Sequence, residues 1–388
     1  MSIAVLILLS VAVLALTVWK AERPAVYVLC AAFLLRMLVL LTDYCHWGHI
    51  PFAGADTEDF HITTLAFIAG TGPIKTNYTY VLALFYRIFG DGGRLMAQFF
   101  NVLLSYGAVM LVYATLRDLE IPRKRLLLAV SLVAFMPATL FLSGVLLREA
   151  WIQFFLTLSA CAFVWWYRKG SMANVVVCLT ATYASMLMHA GCIGALAVYA
   201  AGFLLARTWK TVGGRTYAVT ACLLAGFLAI LLLVPDLLLA KFHHAAVSGH
   251  SFNPKPVAAG SSYLMWMKGM SLPMKLLLSP VRMFYLLFSP LPFDWRDVTD
   301  GIVFIVDSVF YIVLTVMVFR RPLLGKEAKM KRFLIYTVFA LTFVFAMGTT
   351  NAGTAVRHRA KFLPVMVLAA SLTAAKTNPD SRELTDVE

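Results

Sequence analysis

The sequence predicts an all-α, polytopic transmembrane helical bundle. Of its 388 residues, 61% are hydrophobic and only 13% are charged, and the mean hydropathy is +0.82. One soluble core cannot bury that much apolar surface. Apolar runs recur along the chain with no polar segment long enough for a separate globular domain. We therefore expect one transmembrane domain over residues 1–376, followed by a disordered cytoplasmic tail over residues 377–388.

Apolar runs near 20 residues in length predict the individual spanning helices. Eleven runs qualify or nearly do: 2–19, 25–42, 95–116, 126–146, 150–167, 173–188, 192–207, 216–234, 299–319, 333–348 and 362–375. Lys20 and Arg23 follow the first run rather than precede it, and no small-residue cleavage site is present. The first run is thus expected to be a retained helix and not a signal peptide.

Basic residues in the short connections predict the orientation of these spans. They fall on alternate connections: Lys20, Arg23, Arg117, Arg123, Lys124, Arg125, Arg168, Lys169, Arg207, Lys210, Arg215, Arg320, Arg321, Lys326, Lys329, Lys331, Arg332 and Lys376. That side is assigned to the cytoplasm. The outer side receives residues 43–94, 235–298 and 349–361, and carries further basic residues, which require a partner there.

Two outer stretches, 78–90 and 272–292, are apolar and aromatic but short or interrupted for spanning helices. Interfacial or re-entrant helices suit them better. If 276–292 did span, the later half of the topology would invert. Pro273, Pro280 and Pro290 argue against a straight helix in the second stretch, because proline removes a backbone donor and clashes with the preceding turn.

Ionisable groups at membrane depth are costly, so those that occur there mark candidate sites. Most of these lie at the predicted outer ends of helices: Asp56, Glu58, Asp59, His61, Arg148, Glu149, His189, Arg357, His358, Arg359 and Lys361. Two further charges, Arg36 and Asp307, lie within apolar runs and are expected to be structural, in a buried pair or against a watery cavity.

No metal site is predicted. Three histidines, His243, His244 and His250, lie in the long segment 241–271, but adjacent histidines point in different directions and no cysteine or carboxylate completes a set. The six cysteines are scattered and are expected to pack. The segment itself is interpreted as a lid that orders on substrate binding.

Three stretches resemble one family of membrane enzymes. They are ADTEDFHITTLAFIAG with the following TNYTYVLALFYRIFG and RLMAQFFNVLLSYGAVMLVYATLRDL, then FMPATLFLSGVLLREAWIQFFLTL, and finally AVRHRAKFLPVMVLAAS. In this order they are similar to GT-C glycosyltransferases, which include protein mannosyltransferases and aminoarabinose transferases. The resemblance implies a GT-C-like fold and a catalytic role for the transmembrane domain.

The resemblance also implies a chemistry. Enzymes of this class pass a sugar from a polyprenyl-linked donor to an acceptor on the outer side. The acceptor hydroxyl must lose a proton, and Asp56 is the candidate base. The departing phosphate requires cations, for which Arg357 and Arg359 are expected to form a planar fork, with Lys361 and Arg148 as further charges. His189 is expected to donate to either substrate.

Structural readings of the same residues stay open. Glu58 and Asp59 are equally consistent with solvated or helix-capping acids, since aspartate is a favoured N-cap. Arg148 and Glu149 are consistent with a local ion pair, with Glu149 favourable at a helix start. The basic residues near 357–361 are consistent with interfacial anchors for ordinary lipids.

Two alternative functions also remain. A polymerase of lipid-linked oligosaccharide units would need the same outer arginines and acceptor loop. A transporter of lipid-linked sugar would instead place polar residues along a path through the membrane, with broken helices near the midplane. The expected partners are a polyprenyl-linked donor, a glycan or lipid acceptor and membrane lipid, in a bacterial inner membrane with the active face periplasmic. No cofactor is certain, and nucleic acid is not expected.

Overall fold

A computed structural model describes residues 2–73, 76–205, 262–267, 270–319 and 326–372. The regular structure within these residues is helical, which confirms the predicted all-α class; the described part also contains one isolated β-bridge, between Ser262 and Asn351. Three predicted features lie outside the described residues: the span 216–234, most of the lid segment 241–271, and the acidic tail 377–388.

Ten α-helices lie in the described part of the chain before residue 206. They are α1 (Ser2–Lys20), α2 (Arg23–Tyr44), α3 (Asp56–Ile68), α4 (Asn77–Phe89), α5 (Gly93–Asp118), α6 (Arg123–Phe135), α7 (Pro137–Phe141), α8 (Glu149–Lys169), α9 (Met172–Met188) and α10 (Ile193–Leu205). The later described helices are α11 (Leu272–Leu277), α12 (Ser279–Phe288), α13 (Val298–Phe319), α14 (Lys326–Gly348) and α15 (Ala352–Ser371). One stretch of α13, Phe304–Ser308, is π-helical.

Six helical segments of the described chain are long and apolar enough to cross a membrane. They are Ile3–Lys20, Arg23–Tyr44, Asn77–Asp118, Glu149–Lys169, Val298–Phe319 and Ala328–Gly348, and two shorter apolar helices, Met172–Met188 and Ala190–Leu204, lie between them. The chain is therefore an integral membrane protein. The number of spans, expected to be eleven, stays a prediction.

One expected span, 126–146, is not a continuous helix. α6 ends at Phe135, α7 covers only Pro137–Phe141, and residues 142–148 are not helical. Met136 adopts φ −58° and ψ 120°, because the ring of the following proline disfavours the helical conformation at the preceding residue. The break brings the irregular segment into the bundle beside α2 and α8.

The stretch 272–292 is divided as its prolines predict. α11 ends at Leu277 and α12 begins at Ser279, and the chain becomes extended at Ser289, ahead of Pro290. The other apolar outer stretch forms α4, which joins α5 through the short turn Gly90–Gly92.

The last described helix begins ten residues earlier than the expected span 362–375, at Ala352 rather than residue 362. The charges expected in an outer segment therefore lie within α15, where most side chains from Ala352 to Ala370 are buried. α15 contacts α5, α6, α7, α8, α12, α13 and α14. Pro364 lies inside it and leaves the Ala360 carbonyl without its helical donor. The Gln153 side chain replaces that donor at 3.1 Å.

The two ends of the bundle differ in charge. At one end, the α1–α2 turn meets the end of α5, since Arg117 donates to the Lys20 carbonyl at 3.0 Å. Lys169 pairs there with Asp118 at 2.9 Å. We call this the basic end, because it also carries Arg23, Arg123 and Lys124. The opposite end, called the Asp56 end, gathers the starts of α3, α8 and α15.

Close backbone approach at small residues packs the helices. A Cβ added to Gly194 in α10 would lie 2.8 Å from the backbone of Ala340 in α14. Small residues at such crossings are typical of helices packed in a membrane, where van der Waals contact replaces the hydrophobic driving force.

Gly194→Ala is expected to destabilise the bundle by about 1–3 kcal/mol, because the new methyl group meets backbone that cannot rotate away. Gly348→Ala is the matched control, since nothing lies within 4 Å of its added Cβ. Thermal unfolding of the purified protein in detergent measures both. Equal unfolding midpoints for the two variants would contradict the packing described here.

Candidate active site

The acids of residues 56–59 occupy the first turn of α3. The helix begins at Asp56, after Ala55, and its first turn carries Asp56, Glu58 and Asp59. The alternative that Asp59 caps a following helix is wrong, because the helix starts three residues earlier. Negative charge in the first turn is favourable to the helix dipole.

Arg357 of α15 joins two acids from distant parts of the chain. Its Nη1 lies 2.5 Å from Oδ2 of Asp56 in α3, and its Nη2 lies 3.0 Å from Oε1 of Glu149 at the start of α8. The exposed fraction of the side chain falls from 58% at Asp56 to 17% at Arg357 and 6% at Glu149. The three groups thus form a line from the mouth of the Asp56 end into the bundle.

Lys361 continues this line one helical turn below Arg357. Its Nζ lies 3.6 Å from Oε1 of Glu149, and its side chain is 1% exposed. The second carboxylate oxygen of Glu149, Oε2, accepts no hydrogen bond from any described residue. A buried acceptor without a donor is costly, so this oxygen has capacity for a further hydrogen bond.

A small cavity adjoins the Glu149 carboxylate. It has a volume of about 10 Å³, close to what one water molecule requires. Its lining is mostly polar or charged at Ser105, Thr139, Ser143, Glu149, Gln153 and Lys361.

Neutral polar residues hold Glu149 in place. The side-chain nitrogen of Asn101 in α5 donates to the carbonyls of Val145 at 2.7 Å and Leu147 at 2.9 Å. Trp151 in turn donates to the Asn101 oxygen at 2.8 Å. The irregular segment before α8 is therefore fixed from two sides. Arg148 points elsewhere and donates to the Met188 carbonyl at 3.2 Å, so it forms no ion pair with Glu149.

Glu58 and His61 attach α3 to its neighbours. Arg94 at the start of α5 donates to both Glu58 oxygens, at 2.6 and 3.2 Å. His61 Nδ1 lies 2.5 Å from the Tyr86 hydroxyl of α4. Asp59 is exposed on the same turn as Asp56. Glu58 and His61 thus hold α3 against neighbouring helices through Arg94 and Tyr86.

His189 lies beside the innermost part of the line. Its ring packs against Phe345 and His358 with centroid separations of 4.9 and 5.2 Å, and Lys361 Nζ lies 5.4 Å from the centroid of the same Phe345 ring. The Nδ1 atom of His189 accepts from the Gly191 backbone at 3.1 Å. The tight turn thus orients the ring towards α14 and α15.

Arg359 does not form a fork with Arg357. Two residues on an α-helix point about 200° apart, and Arg359 faces α12 and α13 instead. Its Nε donates to Asp307 Oδ2 at 2.6 Å, and its Nη1 donates to the Ser289 carbonyl at 2.7 Å. Both side chains of the pair are buried. The expected structural role of Asp307 in a buried pair is confirmed.

Arg36, the other charge within an apolar run, has no acidic partner among the described residues. It donates to the Ala32 and Ala134 carbonyls at 3.0 and 2.9 Å and to Ser105 at 3.0 Å. These bonds tie α2 to α5 and α6.

Sequence reasoning overlooked Asn101 and Gln153, although an amide inside an apolar run is a signal of a buried hydrogen bond.

No grouping of three His, Cys, Asp or Glu side chains suited to a metal ion occurs in the part of the chain that the structure describes. The three histidines between residues 243 and 250 lie outside it.

The structure is thus a membrane-embedded helical bundle that carries a line of paired carboxylate and guanidinium groups at the surface of one end. Residues 57–247 match the family model described as dolichyl-phosphate-mannose-protein mannosyltransferase. That region is a domain of this family, which belongs to the GT-C superfamily. The chain is therefore a membrane glycosyltransferase that uses lipid-linked sugar donors, which confirms the implied class of enzyme.

The matched region contains Glu58, Asp59, His61, Arg148, Glu149 and His189, while Asp56 immediately precedes it and the α15 residues lie beyond it. No curated protein matches the chain. The family consists of enzymes, which favours a transferase over the transporter alternative.

Arg359→Gln is expected to destabilise the protein by about 3–5 kcal/mol, because it leaves the buried Asp307 carboxylate without its cation. The matched control is Lys169→Gln, whose exposed ion pair with Asp118 contributes about 0–1 kcal/mol. Thermal unfolding in detergent compares them. If the Arg359→Gln protein were as stable as the unaltered protein but inactive, a role of Arg359 in substrate binding would be indicated instead.

The attachment of α3 is expected to weaken as pH falls. The Arg94 hydrogen bonds hold the pKa of Glu58 below its usual value, and burial lowers the pKa of His61. Groups with lowered pKa contribute stability above their unfolded pKa and lose it as pH falls through the folded one. His61 should therefore act first, below about pH 6.5, and Glu58 below about pH 4.3.

The unfolding midpoint as a function of pH measures this effect. The variant His61→Phe should lose the first, less acidic step and keep the second. An unchanged pH profile between pH 7 and 5 in His61→Phe would exclude His61 as the titrating group.

Proposed function

We propose that this enzyme transfers a sugar from a polyprenyl-phosphate or polyprenyl-diphosphate carrier to a hydroxyl group of a glycan or lipid acceptor at the Asp56 end of the bundle. The observation that carries the proposal is the ion pair between Asp56 and Arg357, 2.5 Å long, at the exposed mouth of a buried Glu149–Lys361 pair. A carboxylate that can act as a general base thus lies beside cations that can bind a phosphate.

Asp56 is the proposed general base. Its carboxylate is half exposed, so an acceptor hydroxyl can approach it from outside the bundle. Arg357 binds Oδ2, and no described residue hydrogen-bonds to Oδ1. A hydroxyl that donates to Oδ1 would lose its proton there as the new glycosidic bond forms.

Arg357 and Lys361 are the proposed cations for the departing phosphate. They are four residues apart on α15 and therefore share one face of the helix. Both lie within 4 Å of Glu149 Oε1, so Glu149 holds the two cations at fixed positions before the donor arrives. Preorganised charge of this kind stabilises developing negative charge without a reorganisation cost during the reaction. Arg359 is left out of this set because its partners are Asp307 and backbone carbonyls.

The same ion pair couples donor binding to base activation. The Arg357 guanidinium occupies Oδ2 of the Asp56 carboxylate. A donor phosphate competes with Asp56 for Nη1 of Arg357, and its binding releases the carboxylate to accept the hydroxyl proton. Glu149 retains Nη2 throughout, which keeps Arg357 at the site.

The remaining candidate residues are assigned by position. Asp59, exposed on the same turn as Asp56, is a proposed acceptor contact, and His189, beside Phe345 and Lys361, is a proposed donor contact. Arg148 extends the cationic surface around Glu149. Glu58 and His61 contribute through the position of α3, because Arg94 and Tyr86 bind them.

The distribution of charge supports a periplasmic or extracellular Asp56 end. Unpaired lysine and arginine in short connections favour the cytoplasm, and the basic end has Arg23, Arg123 and Lys124 in such connections. Basic residues of the opposite end such as Arg94 and Arg359 are held by protein acids. We therefore place the reaction on the outer face of a bacterial inner membrane, in the synthesis of envelope polysaccharide or glycolipid.

Purified full-length protein supplied with polyprenyl-linked sugars tests the reaction. One arm offers a polyprenyl phosphate with a single sugar, and the other offers a polyprenyl diphosphate with an oligosaccharide repeat. Products one sugar longer than the acceptor support the transferase. A ladder of repeat units would favour the polymerase alternative instead.

Asp56→Asn is expected to lower kcat by about 10²–10⁴, the usual contribution of a general base. Asp91→Asn is the matched control, because Asp91 is an exposed acid of the turn before α5. Initial rates of sugar transfer, with thermal unfolding as a check on folding, compare the two variants. Transfer at the full rate by Asp56→Asn would remove the proposed base.

A further inference from the structure

A second cavity lies at the basic end, far from the proposed reaction site. It is formed where the start of α2, the end of α5 and the start of α6 meet, and its volume is about 250 Å³. Part of its wall is apolar, at Ala25, Ile121 and Leu126. Four charged residues also line the cavity: Glu22, Arg117, Glu120 and Arg123.

A tight reversal between α5 and α6 creates this recess. Glu120 adopts the left-handed conformation, with φ +54°, and Ile121 donates back to the Leu116 carbonyl at 3.1 Å. Pro122 then precedes the first residue of α6. The Glu22 backbone is fixed on the other side by the Tyr113 hydroxyl at 3.0 Å.

The charged residues of the lining form no ion pair with one another or with any other described residue. Neither carboxylate has a cation of the described chain within 4 Å, whereas nearby Asp118 pairs with Lys169 at 2.9 Å and with Arg168. Arg117 donates to the Lys20 carbonyl and lies 5.5 Å from the Tyr113 ring centroid. Two guanidiniums and two carboxylates, all solvent-exposed, thus line one cavity without pairing with one another.

We propose that this cavity binds the headgroup of a zwitterionic phospholipid that carries a primary ammonium. Arg117 and Arg123 bind the phosphate, and Glu22 and Glu120 bind the ammonium. The apolar wall contacts the acyl chains where they join the glycerol. Guanidinium is well suited to phosphate oxygens, and the end of a membrane-spanning bundle is where headgroups lie.

The charge balance selects this class over other lipids. An anionic headgroup would satisfy the arginines and leave both carboxylates without a cation. A quaternary ammonium would balance the charge but offers no N–H group to the carboxylate oxygens, which accept hydrogen bonds. A primary ammonium supplies three such donors.

Native mass spectrometry of the full-length protein tests the proposal. The protein is reconstituted with phosphatidylethanolamine, phosphatidylcholine or phosphatidylglycerol of identical acyl chains, and the lipid retained after mild detergent extraction is counted. Phosphatidylethanolamine should be retained about tenfold more than either of the others, the effect of one hydrogen bond to a charged group.

Two variants assign the contacts. Glu120→Gln should remove the roughly tenfold preference for phosphatidylethanolamine over phosphatidylcholine, and Arg123→Gln should weaken retention of both. Lys124→Gln, an exposed neighbour that does not line the cavity, is the matched control and should retain lipid as the unaltered protein does. Equal retention of phosphatidylglycerol and phosphatidylethanolamine, or equal losses in Lys124→Gln and Arg123→Gln, would overturn the proposal.

Discussion

The structure depends on the neutralisation of charge inside an apolar bundle. α15 carries Arg357, Arg359 and Lys361 within little more than one turn, and each lies against an acid from a distant segment. The chain separations are 301 residues from Arg357 to Asp56, 208 to Glu149, and 52 from Arg359 to Asp307. An unpaired charge at this depth would be expensive. These pairs therefore fix α15 against α3, α8 and α13, and α15 in turn contacts most of the bundle.

The helical period gives the charges of α15 two different roles. Arg357 and Lys361 share the face towards Glu149, where the side chains become progressively more exposed up to Asp56. Arg359 faces the opposite way, into a dry contact with the π-helical part of α13. The proposed chemistry is assigned to the first face, because that face leads to the exposed Asp56 carboxylate. The second face supplies the rigidity that a preorganised site needs.

Neutral polar residues make this arrangement precise. Asn101 fixes the segment before Glu149 through two carbonyls, and Gln153 satisfies the carbonyl that Pro364 leaves open in α15. Ser105 links Gln153 to Arg36, with distances of 3.4 and 3.0 Å. A continuous set of hydrogen bonds thus connects α2, α5, α8 and α15 behind the site. Each bond replaces water that the bilayer cannot provide.

The sequence by itself determined the membrane-embedded all-α class, most helix positions, the proline break in 272–292 and the glycosyltransferase family. Hydrophobicity, proline chemistry and motif order are local properties that one stretch of chain reveals. It also identified Asp56, Glu149, Arg357 and Lys361 as candidates, because charge in an apolar chain is conspicuous. Only the tertiary structure decided their partners: it paired Arg357 with Asp56, and it paired Arg359 with Asp307 away from the candidate site. It also showed that the helix expected at 126–146 is broken. Those outcomes depend on which helix faces which, and side chains hundreds of residues apart have no local pattern that specifies their contact.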